Sequence, residues 1–97
     1  MSYRFTWDEY KADANIINHQ GISFDEASTV FNDPLARIFD DDAHSQYEQR
    51  EIVIGYSIKN RLLLVCFTES TPEIIRIISA RLPTRGERKA YEENATH

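Results

Sequence analysis

Ninety-seven residues, 41% of them apolar, suffice for one domain with one core and leave no room for a second. Charged residues at 28% suit a solvated surface, and the longest apolar run, residues 62–67, is far too short to span a bilayer. The net charge of −5 is unevenly divided, with ten acids against three Lys/Arg in residues 1–48 and six against eight in 49–97. A chain split this way can offer a cationic face to RNA and an acidic face to a basic protein, or simply two solvated faces. One cysteine, Cys66, excludes an internal disulfide, and the N-terminus lacks the apolar core of a signal peptide, so a cytoplasmic location is expected.

Phe5-Thr6-Trp7 reads as a short aromatic strand. Asp8 is placed to cap a helix over 9–20, with Tyr10, Ala14, Ile17 and Ile16 at the spacing of an apolar face and Gly21 as its left-handed stop. Ser23 and Glu26 have the spacing of a capping box, and Phe24, Ala27, Val30 and Phe31 form the apolar face of the helix they open. Asp33-Pro34 ends it, because the residue before proline avoids helical geometry. Four strand-like stretches follow, at 35–40, 51–58, 61–68 and 74–82. Residues 40–46 form a polar connection, Lys59-Asn60 a two-residue hairpin turn and Thr71-Pro72 a break. Thr84 and Glu87 repeat the capping-box spacing and open a last helix to about residue 93. The order β-α-α-β-β-β-β-α predicts one α+β domain over 1–97, two N-terminal helices packed on an antiparallel meander with a C-terminal helix.

The strand at 74–82 is the most informative stretch. It carries Arg76 and Arg81 among isoleucines, although a guanidinium is rarely buried without a partner. Strict alternation puts the two on opposite faces, and either each lies at an end of the strand or at least one lies in a cleft paired with an acid or a ligand. Arginine suits phosphate because its planar fork donates two parallel hydrogen bonds. Glu48 and Arg50 share a parity and emerge together, either to pair or to flank a substrate. Tyr91 lies four residues after Glu87 on the same helix face, where its phenol can bond a carboxylate or reach a phosphate. His19 sits where a helix favours a cation, and His97 is terminal. His44 joins Asp40, Asp41 and Asp42 in an acidic loop that lacks the glycine and distal glutamate of an EF-hand. Cys66 reads as core packing. No glycine-rich phosphate loop or zinc spacing occurs, so no cofactor is expected.

In chain order, Trp7-Asp8, Lys11, Asn15, His19-Gln20-Gly21-Ile22, Phe24, Glu26-Ala27, Val30-Phe31 and Asp33-Pro34 resemble the front half of the BrnT family. Glu48-Gln49-Arg50, Gly55, Leu63-Val65-Phe67 in alternation, Arg76 through Arg81, Glu87 and Tyr91 resemble its back half, so the likeness spans residues 5–93. It implies a RelE-like fold and a metal-independent ribonuclease toxin of a type II toxin–antitoxin system. It also implies a BrnA antitoxin, which dimerises through a ribbon-helix-helix domain, builds a heterotetramer and carries the complex to operator DNA. In such an enzyme the ribose 2′-hydroxyl attacks the adjacent phosphate. Arg81, Arg76 and Arg50 would stabilise the added charge, with Arg81 the choice between the two strand arginines, Glu48 would act as general base, and Tyr91 would orient the phosphate or donate a proton. Two other readings compete. One is a non-catalytic protein-binding module whose arginines are structurally paired. The other is a metal-dependent nuclease built on Asp40, Asp41, Asp42 and His44.

Overall fold

The computed structural model describes residues 3–95; His97, read above as a terminal residue, lies outside them. Five strands form one sheet in the order β1-β5-β4-β3-β2. They are β1 (Arg4–Thr6), β2 (Arg37–Asp40), β3 (Glu51–Tyr56), β4 (Leu62–Thr71) and β5 (Ile74–Arg81). β1 runs parallel to β5 and the other pairings are antiparallel, so the sheet is mixed, with the meander extended by one parallel edge strand. Helices α1 (Glu9–Asn18) and α2 (Phe24–Thr29) pack on one face, and α3 (Arg85–Ala95) packs on the other. The α+β class expected from the sequence is what the chain adopts.

Alternation along β4 divides the apolar residues between the two faces. Leu63, Val65 and Phe67 join Ile22, Phe24, Ala27 and Val30 in the main core, while Leu62 meets Ile54 and Tyr91 in a small cluster under α3. Phe31 seals the edge of the main core, with ring centroids 5.2 Å from Phe5 and 5.0 Å from Phe67.

The inward face of α1 is not the apolar one. Tyr10 and Ile17 are 87% and 82% exposed and Ile16 and Ala14 also face out, whereas Ala12 and Asn15 are buried. The cause lies in β5. The three-residue β1 pairs only with Ile74, Ile75 and Arg76, leaving the rest of that edge open. Asn15 closes it, accepting from Ala80 N at 3.0 Å and donating to Ala80 O at 2.8 Å and Ile22 O at 3.0 Å. A buried amide that completes a strand edge fixes the helix rotation more firmly than a stripe of apolar side chains.

Two local expectations are also revised. Ser23 Oγ accepts from Glu26 N at 3.0 Å, but the Glu26 carboxylate does not return to the helix start. It accepts instead from Ser57 Oγ at 2.7 Å and from Nε and Nη2 of Arg61, tying α2 to the β3–β4 hairpin. That hairpin has a three-residue loop, Ile58-Lys59-Asn60, closed by Ser57 N donating to Arg61 O at 2.9 Å. Asn60 supplies the left-handed residue, φ 61°, that such a loop needs.

One irregularity decides which side chains share a face. Cys66 pairs with Ser79 and Phe67 with Ile77, so Ile78 is an extra residue in β5, a β-bulge. The burial alternation of β5 breaks there: Ile75, Ile77 and Ala80 are buried, and Arg76, Ile78, Ser79 and Arg81 all turn to the α3 side. The strict-alternation expectation that Arg76 and Arg81 point oppositely is therefore overturned.

Candidate active site

The α3 side of the sheet is only partly covered, and beside the helix it opens into a groove of about 300 Å³. Its walls include Arg50, Ser79 and Arg81 together with Asp41, His44 and Cys66, drawn from three strands and the loop before β3. Arg76 shares this face, opposite Thr68, but lies beyond the groove and makes no hydrogen bond or ion pair among the described residues.

The loop that carries Asp41, His44 and Arg50 is closed on itself. Asp41 N donates to Arg50 O at 2.8 Å, Ser45 Oγ donates to Asp41 O at 2.6 Å, and Arg50 N donates back to Ser45 Oγ at 3.0 Å. These bonds make an otherwise polar connection a fixed platform. Glu48 stands with its Oε1 3.5 Å from Arg50 Nε, near enough to balance the charge without accepting a hydrogen bond. Arg50 Nε is in fact buried with no hydrogen-bond partner. An orphaned donor of this kind costs about 1–3 kcal/mol, which an arriving acceptor oxygen recovers. His44 Nδ1 lies 3.0 and 3.1 Å from the two Asp41 oxygens, with the ring otherwise exposed.

Arg81 is held from the other side. Its Nη1 and Nη2 donate to the Glu87 carboxylate at 2.9 and 3.1 Å, and Nη1 also donates to Leu82 O at 3.1 Å. Three of its five N–H groups are thus committed, and the two left, on Nε and Nη2, form the side-on fork. Glu87 serves twice, because its Oε1 accepts from Thr84 N at 2.7 Å while Glu87 N donates to Thr84 Oγ1 at 3.2 Å. This is the capping box expected from the sequence, and the same carboxylate aims Arg81. The Arg81 guanidinium holds the Glu87 carboxyl down at about 2, outweighing its partial burial.

A carboxyl depressed below its usual 4.5 stabilises the fold fully above that value and loses the contribution as pH falls towards about 2. Glu87→Gln is therefore expected to lower the urea midpoint at pH ~6 and to approach the wild type near pH ~2.5. Parallel unfolding curves of the two proteins check this, since the other carboxylates titrate in both.

Tyr91 does not open onto the groove. It is buried under α3, stacks edge-on against Tyr56 with centroids 5.8 Å apart, and donates to Asp33 Oδ2 at 2.8 Å. Asp33 also accepts from Tyr56 N at 2.8 Å and Leu35 N at 2.9 Å. Burial and the Asp33 charge push the Tyr91 phenol far above its usual range. Gly55 lies under this junction, where an added Cβ would come within 3.0 Å of both Ala36 Cβ and Asp33 Oδ2. A smaller apolar pocket of about 220 Å³, lined by Phe39, Ile54 and Tyr91 among others, shares Ile52 and Leu64 with the groove.

The sequence reading grouped Glu48 with Arg50 by parity and joined Arg81 to them only through the family resemblance, and the fold brings the two arginines into one groove. It passed over Asp41 and His44 as a pair. Their signal was the i, i+3 spacing within Asp41-Asp42-Ala43-His44. The metal reading of the same loop finds no support, since no set of three or more metal-capable groups occurs among the described residues.

A family model described as "Ribonuclease toxin, BrnT, of type II toxin-antitoxin system" matches residues 7–87. The chain belongs to the BrnT family. The crystal structure of the Brucella abortus ribonuclease toxin BrnT superposes with a TM-score of 0.66 and 24% identity, covering 87% of this chain and 100% of that one. At that identity the likeness speaks for the fold, and the family match carries the assignment. No curated protein matches. Family membership makes the chain a ribonuclease toxin of a toxin–antitoxin system, with RNA as target and an antitoxin as partner. Among the described residues no helix is long and apolar enough to cross a membrane.

Proposed function

We propose that this BrnT-family chain is a metal-independent RNA endonuclease with a RelE-like fold, acting in the cytoplasm to inhibit translation. The observation that carries the reading is the groove between Arg50 and Arg81, one with an orphaned buried Nε–H and the other with a free side-on fork. Both are donors without an acceptor, the partner that phosphodiester oxygens supply, and both are set before any ligand arrives. The reaction moves the 2′-oxygen onto phosphorus and expels the 5′-oxygen, so charge builds on the non-bridging oxygens that the arginines contact. Glu48 keeps Arg50 in place, Tyr91 fixes α3 and through it Glu87, and Arg76 contacts the RNA backbone outside the groove. Phe39, half-exposed beside the groove, offers a face on which a base can stack.

A BrnA-like ribbon-helix-helix antitoxin would neutralise the enzyme by covering this groove, within a heterotetramer that meets operator DNA only through the antitoxin. The competing binding-module reading draws on the Arg81–Glu87 and Arg50–Glu48 pairs, yet neither pair uses up its guanidinium. Incubation with structured and single-stranded RNA in excess EDTA decides between them. Cleavage to 2′,3′-cyclic phosphate ends is expected; intact RNA at high enzyme excess would count for the binding module.

A further inference from the structure

In a groove that binds phosphate between two arginines, proton transfer needs a group with a lone pair near neutral pH. Glu48, the acceptor expected from the sequence, stands on the far side of Arg50 Nε and lines the adjoining hollow rather than the groove. The Cys66 thiol is pushed up to about 11, chiefly by burial and then by the charge of Asp41, so it stays protonated. His44 is different. Its Nδ1 faces both oxygens of Asp41, whose side chain is 11% exposed, while the imidazole itself is 67% exposed.

An acceptor-only carboxylate on Nδ1 requires the proton there, which leaves Nε2 with its lone pair free. Asp41 is fixed in turn by the Ser45 clasp and by Cys66 Sγ at 3.7 Å from its Oδ2. The ring therefore has a defined tautomer and orientation at the groove wall. The groups facing it are Asp41 beneath, Tyr47, Glu48 and Arg50 from the loop before β3, Cys66 from β4 and Arg81 from β5.

We infer that His44 is the general base of the cleavage, with Asp41 as its positioning residue, an assignment that rests on the ribonuclease reading above. Nε2 takes the proton of the ribose 2′-hydroxyl, and the 2′-oxygen forms its bond to phosphorus. The bond from phosphorus to the 5′-oxygen breaks, and that oxygen leaves with the bonding pair and takes a proton from water in the open groove. The imidazolium then returns its proton to solvent. Arginines bind the phosphate but carry no lone pair to accept a proton, so Nε2 of the imidazole is the acceptor placed at this wall of the groove.

The test uses the full chain, a fluorogenic RNA oligonucleotide and a 2′-O-methyl copy that binds without reacting. His44→Gln is expected to lower kcat ~10²–10⁴-fold while binding the 2′-O-methyl RNA within about twofold of wild type. His44→Ala should regain part of its rate when free imidazole is added, and remote His19→Gln should keep the wild-type rate. Asp41→Asn should lower the rate and displace the acid limb of the pH–rate profile, a change that loss of fold alone would not produce. A His44→Gln protein that cleaves at the wild-type rate overturns the assignment while leaving the ribonuclease reading intact. A wild-type chain that binds RNA without cleaving it removes both.

Discussion

Arg81→Ala is expected to lower RNA cleavage by about 10²–10³-fold, the usual cost of removing one preorganised donor from a developing oxyanion. The physical reason is the division of labour within one guanidinium. Glu87 and Leu82 O occupy three N–H groups and fix the plane, so the remaining fork meets the phosphate without reorganising. Arg81→Lys keeps the charge but not the fork, and should recover less than about a tenth of the lost rate. Single-turnover kinetics with saturating enzyme are the appropriate measurement, because they separate the chemical step from RNA affinity. Wild-type rates in Arg81→Ala would move the phosphate to Arg50 alone.

The second large effect concerns stability. The Glu26 side chain is 1% exposed and sits between Arg61 and Ser57, with the Arg61 guanidinium holding its carboxyl below the usual range against the cost of burial. Glu26→Ala leaves Arg61 and Ser57 without their shared acceptor at the junction of α2 and the hairpin. A loss of ~3–5 kcal/mol is expected, a large part of the ~5–15 kcal/mol that holds a domain of this size. Thermal unfolding should show the midpoint falling by more than ~10 °C. Replacing Glu26 and Arg61 together with leucine should be milder than Glu26→Ala alone, because no unpaired charge then remains. Urea melts of the three proteins establish the order.

How far the sequence shows all this differs from residue to residue. The caps at Asp8, Ser23 and Thr84 are local hydrogen-bonding devices, and spacing alone reveals them. The rotation of α1 is not local. It depends on Asn15 meeting Ala80, 65 positions away, and an apolar stripe at Tyr10 and Ile17 points the reader to the wrong face. The same limit applies to Glu26, whose spacing fits a capping box while its partner comes from a hairpin 35 residues on. Arg50 and Arg81 were recognisable as phosphate donors by type. Their shared groove was not, because strict alternation misplaces every residue on one side of a bulge. His44 was visible only as one more member of an acidic loop, since what orients it is a side-chain contact across one turn.

The bulge at Ile78 makes an irregularity of β5 part of the chemistry. Had the same residues run in unbroken alternation instead of bulging there, every side chain from Ser79 onward would trade places across the sheet. Ala80 would swing away from Asn15, and Arg81 would be driven into the layer occupied by Ala27 and Val30. An unremarkable isoleucine that contacts no proton or phosphate thus acts as a spacer. It keeps two reading frames in step, one for the core and one for the groove, and the enzyme depends on where the strand breaks its alternation as well as on which residues it contains.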